Sequence, residues 1–396
     1  MAMVALQTVH GAPAAVAMAA SVGSKQSVVP KEAKLSARAG RQRPSRRRFS
    51  VVSVKRIGRY LDPAVADKEK EEAMEYRRMV FDHEDWVRHR SSARHGRHLA
   101  SIVSSRVILA LGPPVFSLTA FAAVVTIYNE ALSGSMLPGW LPLLHISSLP
   151  FSLTAPALAL LLVFRTNASY ARFDEARKAW GMNVNRCRDV CRQALTFMRS
   201  PVDAPKLQSF LHHAAAFPYA LKDQISESGG LEAELDGLLD EGELASVLAA
   251  SHRPNYVLQI MSELVYSTGM SDMERAGMDR NLTQFHDNVG ACERIFKTPI
   301  PLSYTRLTSR FLVIWHIALP LGLWDQCRWL TIPAVFFNAA ALLCIEEVGV
   351  LIEEPFSTLA LASICNTIKN NVAGLVEAHS EYARKSNRRN GFEAKL

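Results

Sequence analysis

The sequence predicts an all-α membrane protein with four transmembrane helices and a helical extramembrane domain. Three observations carry that prediction. Residues 107–128 run for about 22 positions without a charge, the length of one bilayer crossing. The stretch 149–181 opens apolar and turns at Arg165 into a charged, helix-favouring run with Arg172, Asp174, Glu175, Arg177 and Lys178. A soluble helix rarely passes from wholly apolar to wholly charged within one turn, so the membrane boundary is placed at Phe164–Arg165. Between Met182 and Thr298, finally, nothing alternates long enough to read as a strand. The composition agrees, because 49% hydrophobic beside 21% charged residues means apolar blocks separated by charged ones.

The elements follow in order. Residues 1–55 are rich in Ala, Ser, Val and Arg, close on Arg41, Arg43, Arg46, Arg47 and Arg48, and hold one acid, Glu32. That is the composition of a transit peptide for chloroplast or mitochondrial import, expected to be disordered, and it supplies much of the net charge of +8. Residues 56–106 read as basic amphipathic N-terminal helices. Arg88, Arg90, Arg94, Arg97 and Arg106 lie among His83, His89, His95 and His98 there. The arginines would repel a bound cation, which favours a lead-in lying on a membrane surface over a metal site.

Residues 107–181 form the first transmembrane hairpin, with a kink expected at Gly112, Pro113 and Pro114. Its loop, 129–148, contains Glu130 and His145 but no Lys or Arg, so both ends of the hairpin face the basic side. Residues 182–298 form the extramembrane helical domain, studded by Arg186, Arg188 and Arg192. The second hairpin, 299–356, is apolar from Phe311 to Trp324 apart from His316, turns at 325–328, and returns through a helix holding Glu346 and Glu347 and ending in Glu353 and Glu354. Acids at membrane depth are costly and usually functional. These four stand near the helix end, so interfacial pairing with nearby arginines is an equal reading. Residues 357–396 read as a polar, basic tail on the same side as the N-terminus.

No GxSxG, HExxH, Walker A loop or GxGxxG after a strand is present, so no enzyme is expected. The six cysteines make no CxxC and read as small hydrophobes, no metal site or cofactor is called for, and no nucleic-acid signature accompanies the basic charge. Transport remains. Pro156, Leu160 and Phe164 recur at i, i+4 and i+8 on one helical face, which is either ordinary packing or, with several copies about an axis, a stack of apolar rings. Arg165 and Arg172 beyond it would raise the local anion concentration.

The segments FRTNASYARFDEARKAWG, IPLSYTRLTSRFLVIWHIALPLGLWD and CIEEVGVLIEEPF resemble the bestrophin family, in its plant and algal branch, with the likeness running from about Trp86 to Cys365. The resemblance implies a homopentamer around a central pore. Its neck would be Pro156, Leu160 and Phe164, and its second constriction, the aperture, would be Ile300. It implies a passive anion channel of the thylakoid membrane, of the voltage-dependent chloride channel type. Such a channel conducts chloride, with nitrate or bicarbonate as further permeant ions, and balances the charge of pumped protons, both termini being stromal. The rivals are a bicarbonate channel supplying a lumenal carbonic anhydrase and a non-conducting scaffold. The calcium-binding acids of the family's animal members have no counterpart here, since Ser357, Thr358, Leu359 and Ala360 follow Pro355-Phe356.

Overall fold

The computed structural model describes residues 65, 68, 80–102, 110–226 and 229–393, all within one compact unit. The expected transit peptide lies outside the described residues, as does most of 56–79. Among the described residues every regular element is helical. In order these are α1 (His83–Arg90), α2 (Arg94–Ile102), α3 (Gly112–Ser133), α4 (Leu149–Phe197), α5 (Ala204–Ser226), α6 (Leu231–Leu235), α7 (Glu241–Ala249), α8 (Arg253–Ser267), α9 (Asp272–Lys297), α10 (Leu302–Cys327), α11 (Thr331–Glu353) and α12 (Leu361–Glu393).

Two apolar cores stack along the molecule. The first joins α3, the upper part of α4, α10 and α11 through Val115, Leu118, Leu158, Leu162, Leu312, Trp315, Val335 and Leu343. The outer faces of these helices stay apolar, with Val124, Ile127, Ile314 and Phe337 exposed. An exterior of that kind matches a hydrocarbon solvent. By length and composition three helical stretches could cross a membrane: Gly112–Ser133, Leu149–Phe197 and Leu302–Glu353. The third is divided where Arg328 takes φ +50°, followed by a 3₁₀ turn, so that α10 and α11 fold back as a hairpin.

The kink expected in the first of these falls where α3 begins: Ala110 is helical, Leu111 is a turn, and residues 103–109 lie outside the described residues. Pro113 and Pro114 stand in the opening turn of α3, where an absent N–H costs nothing and a fixed φ favours initiation. Close packing appears between α4 and α10, where a side chain at Gly322 would collide with the ring of Phe151.

At the end opposite the second core, the two hairpins are pinned to each other. Within the first hairpin the Asn129 amide donates to the Leu144 carbonyl and accepts from its N–H, both at 2.9 Å, and the Ile146 N–H then donates across to the Leu321 carbonyl at 3.1 Å. Trp324 Nε1 donates to Glu130 at 3.2 Å, the Arg328 guanidinium lies 4.2 Å over the Trp324 ring, and His145 Nδ1 stands 3.0 Å from Asp325.

The second core belongs to the helical domain. It joins the lower half of α4 to α5, α8, α9 and α12 through residues such as Trp180, Cys187, Phe210, Phe217, Met261 and Phe285. The α5 helix is buried over nearly its whole middle, His213 to Leu221, as expected of a helix apolar on every side. The start of α12, expected as polar tail, packs Leu361, Cys365, Ile368 and Val372 into this core. They recur at i, i+4, i+7 and i+11, a helical stripe.

Candidate functional site

The site is organised by α4. Its 49 residues span about 73 Å at 1.5 Å per residue, more than twice a hydrocarbon core of about 30 Å. It therefore serves both cores as one continuous element. Its buried face repeats through Leu158, Leu162, Arg165, Ser169, Ala176, Trp180, Asn183, Cys187, Val190 and Ala194, at helical spacing from end to end. The opposite face carries the expected neck. Pro156 is exposed, and Leu160 and Phe164 are 53% and 54% exposed, with Leu149 and Leu153 continuing the same stripe. Pro156 lies inside the helix, not at its start, which leaves the Ser152 carbonyl one turn back without its helical N–H.

The two arginines expected to attract anions are placed otherwise. Arg165 turns inward, 2% exposed, and pairs with Glu346 of α11. The Glu346 side chain is only 15% exposed, and Arg165 Nε beside it has no acceptor among the described residues. Gly349, one turn further along α11, leaves room for the aliphatic part of this arginine, whose Cγ would lie 3.9 Å from an added Cβ. Arg172 is a latch. Its guanidinium donates to the carbonyls of Glu353 at 3.0 Å, Thr298 at 2.6 Å and Ile295 at 2.5 Å. It thus closes the C-terminus of α9, where orphan carbonyls and the helix dipole favour a cation, and ties it to the end of α11. Neither guanidinium is a solvated charge. The sequence places both just past the apolar run, but only α9 and α11, far off in the chain, show what covers them.

The acids divide in the same way. Glu353 accepts from the N–H of Ile300 at 3.2 Å, and Glu354 accepts from the N–H groups of Phe356 and Ser357 at 3.0 Å each, closing the turn after α11. Glu347, next to Glu346, is half-buried. Of the two readings left open for these acids, pairing and backbone capping describe Glu346, Glu353 and Glu354. Ile300, the expected aperture, is 9% exposed, so its own subunit covers it far more than it covers the neck stripe.

Below the neck, the exposed face of α4 becomes basic. Arg192 follows Pro156 by about ten turns and returns to the same side. Here α4 and α12 border a groove of about 650 Å³ containing Arg186, Arg188, Arg192, Asp189, Asn370 and Asn371. In the sequence these arginines read only as charges studding one helix. Four of the six thiols are buried, which raises Cys187 and pushes Cys191, Cys292 and Cys365 up to about 12. Among the described residues no three His, Cys, Asp or Glu side chains are grouped to hold a metal.

A family model described as Bacterial/Fungal Bestrophin protein matches residues 85–374. The chain is 47% identical over 317 residues to voltage-dependent chloride channel 1, chloroplastic, of Arabidopsis thaliana, a match covering 80% of this chain and 77% of that one. It is 35% identical over 246 residues to a voltage-dependent anion channel-forming protein of Ralstonia nicotianae, covering 60% and 80%. Among solved structures, a bacterial bestrophin homolog from Klebsiella pneumoniae superposes with a TM-score of 0.61 at 26% identity, covering 69% of this chain and 99% of the other.

Proposed function

The chain belongs to the bestrophin family, and from that membership we propose that it is a chloride-conducting anion channel of the chloroplast thylakoid membrane. In this reading five copies surround an axis, each crossing the bilayer four times through α3, α4, α10 and α11. The exposed stripe of α4 faces the axis, where Pro156, Leu160 and Phe164 form the neck. Ile300 forms the aperture below it. Membrane lipid covers the outer apolar faces, both termini are stromal, and the permeant ion is chloride or another monovalent anion, with no cofactor. The flow of anions balances the charge of pumped protons. The relatives' printed names support the ion and the organelle.

The observation that carries the reading is the division of α4 into two faces. One is buried along the whole rod, and the other is left bare at Leu160 and Phe164 beside the first core. Apolar rings assembled from that bare face constrict water without binding an ion, so they pass anions that dehydrate easily and gate by dewetting. The arginines expected to draw anions in are held in structural pairs. The attraction therefore falls to cations exposed further along the same face, Arg188 unpaired among the described residues and Lys178 and Arg192 each beside one acid.

The test is the reversal potential of purified protein in planar bilayers under a chloride gradient, repeated for Leu160→Ala and Phe164→Ala. The reading expects the potential to follow chloride and both variants to conduct more with less selectivity. Currents unaltered in both variants would remove the neck assignment, and no current from verified oligomers would remove the channel.

A further inference from the structure

The groove between the aqueous half of α4 and the first turns of α12 has no part in the neck, the clamp at Arg165 or the latch at Arg172. We propose that it is a binding site for a soluble phosphate-bearing molecule. The case begins with its charge. Three guanidiniums, Arg186, Arg188 and Arg192, stand around one carboxylate, Asp189. That carboxylate is already consumed. One oxygen accepts from Arg192 at 2.7 and 3.1 Å, and the other accepts from Asn281 at 3.1 Å and lies 3.9 Å from Arg186. Arg188 is exposed and makes no hydrogen bond or ion pair among the described residues, so its planar fork is unoccupied.

The walls point the same way. Arg186 Nε and Asn371 Nδ2 are sealed into them as donors without an acceptor, and the exposed Asn370 amide stands at the rim. Sealed donors without an acceptor add to the positive potential of the groove wall. Arginine forks match phosphate oxygens two at a time, which singles out a multivalent oxyanion over a halide. A volume of about 650 Å³ lies within the range of small-molecule sites, about 300 to 1,000 Å³.

The source of the phosphate follows from position. Arg186 and Arg192 lie about 32 and 40 Å along α4 beyond Arg165, at 1.5 Å per residue. That is several times the depth of a lipid headgroup layer, so a soluble molecule is the occupant. The consequence for conduction rests on the channel reading above. Arg192 shares the bare face of α4 with the neck, so an anion held there repels chloride on its way to the constriction, and occupancy lowers current.

The experiment is isothermal titration of the purified oligomer in neutral-lipid nanodiscs with pyrophosphate at fixed ionic strength, which reads the site without relying on current. Saturable binding is expected, weakened about tenfold or more by Arg188→Ala and again by Arg192→Ala. Arg188→Lys keeps the charge but not the fork and falls between. Size-exclusion profiles identical to the parent show that the variants assemble. No saturable binding, or binding that survives both alanine substitutions, overturns the site. Loss of pyrophosphate binding in nanodiscs containing an anionic phospholipid overturns the soluble source and gives the groove to a headgroup. In bilayers, pyrophosphate on the groove side lowers chloride current in the parent and not in Arg188→Ala, and equal inhibition of both overturns the link to conduction. Absence of any current would count against the channel reading alone, with the titration still deciding the groove.

Discussion

Arg165 and Glu346 offer the sharpest test of how α4 is held. Their side chains are 3% and 15% exposed, so water screens the pair little. Removing one partner strands a charge at the edge of the apolar core, which costs about 3 to 5 kcal/mol for pairs of this burial. Arg165→Met and Glu346→Met should therefore each destabilise by that amount. The double variant should recover most of it, because two apolar side chains need no counterion and fill a similar volume. The coupling energy from the four proteins should therefore exceed the cost of either single variant, at about 4 kcal/mol or more, read by denaturant unfolding in detergent with current recorded in parallel. Phe164 precedes Arg165, so each single variant should also loosen the proposed neck and raise leak. A double variant no better than the worse single one would show that specific geometry, not stranded charge, sets the cost. Single variants within about 1 kcal/mol of the parent would show that the pair holds nothing.

Three further outcomes follow from the same geometry. Arg172→Lys should keep one of three carbonyl bonds and lose about 3 kcal/mol, since an ammonium cannot span the ends of α9 and α11; unfolding by denaturant measures it. Alkylation of the folded protein at pH 8 should label Cys327 and Cys344, which are partly exposed, and spare Cys187, Cys191, Cys292 and Cys365, which should react only after denaturation, as peptide mass spectrometry would read. Burial alone would raise the Glu293 carboxyl, but hydrogen bonds from His252 and Lys297 outweigh it and hold the group below its ordinary 4.5. Its stabilisation is thus full above that value and lost as pH falls through the lowered one. The gap in thermal stability between parent and Glu293→Gln should narrow on acidification below about 4.5, and a gap that widens would contradict the assignment.

Much of this was legible in the chain. The apolar runs, the stripe on α4, the turn near Arg328 and the helical character of 182–298 all rest on local periodicity, which a sequence displays directly. What could not be read were the partners. Arg165 looks like the first solvated charge after a membrane run, and only the return of α11 puts Glu346 beside it. Arg172 reads as one more surface cation until the carbonyl end of α9 is placed against it. The stripe on α12 was visible at Leu361, Cys365, Ile368 and Val372, but the polar residues between them disguised it as tail. Pro113 and Pro114 sit equally well within a kinked helix or at the head of a straight one. Their local preference does not distinguish the two, and residues 103–109, just ahead of them, lie outside the described residues.

The pins between the two membrane hairpins set an order of assembly. Glu130 reaches Trp324 across 194 residues, His145 reaches Asp325 across 180, and Arg165 reaches Glu346 across 181. All of them wait for the last quarter of the chain. Until those residues are in place, α3, α4 and the loop between them keep polar groups at both ends of the first core unmatched. The second hairpin then completes both ends at once. A chain cut before α11 is left with Arg165 unbalanced at the edge of the first core, so only the complete chain closes both ends.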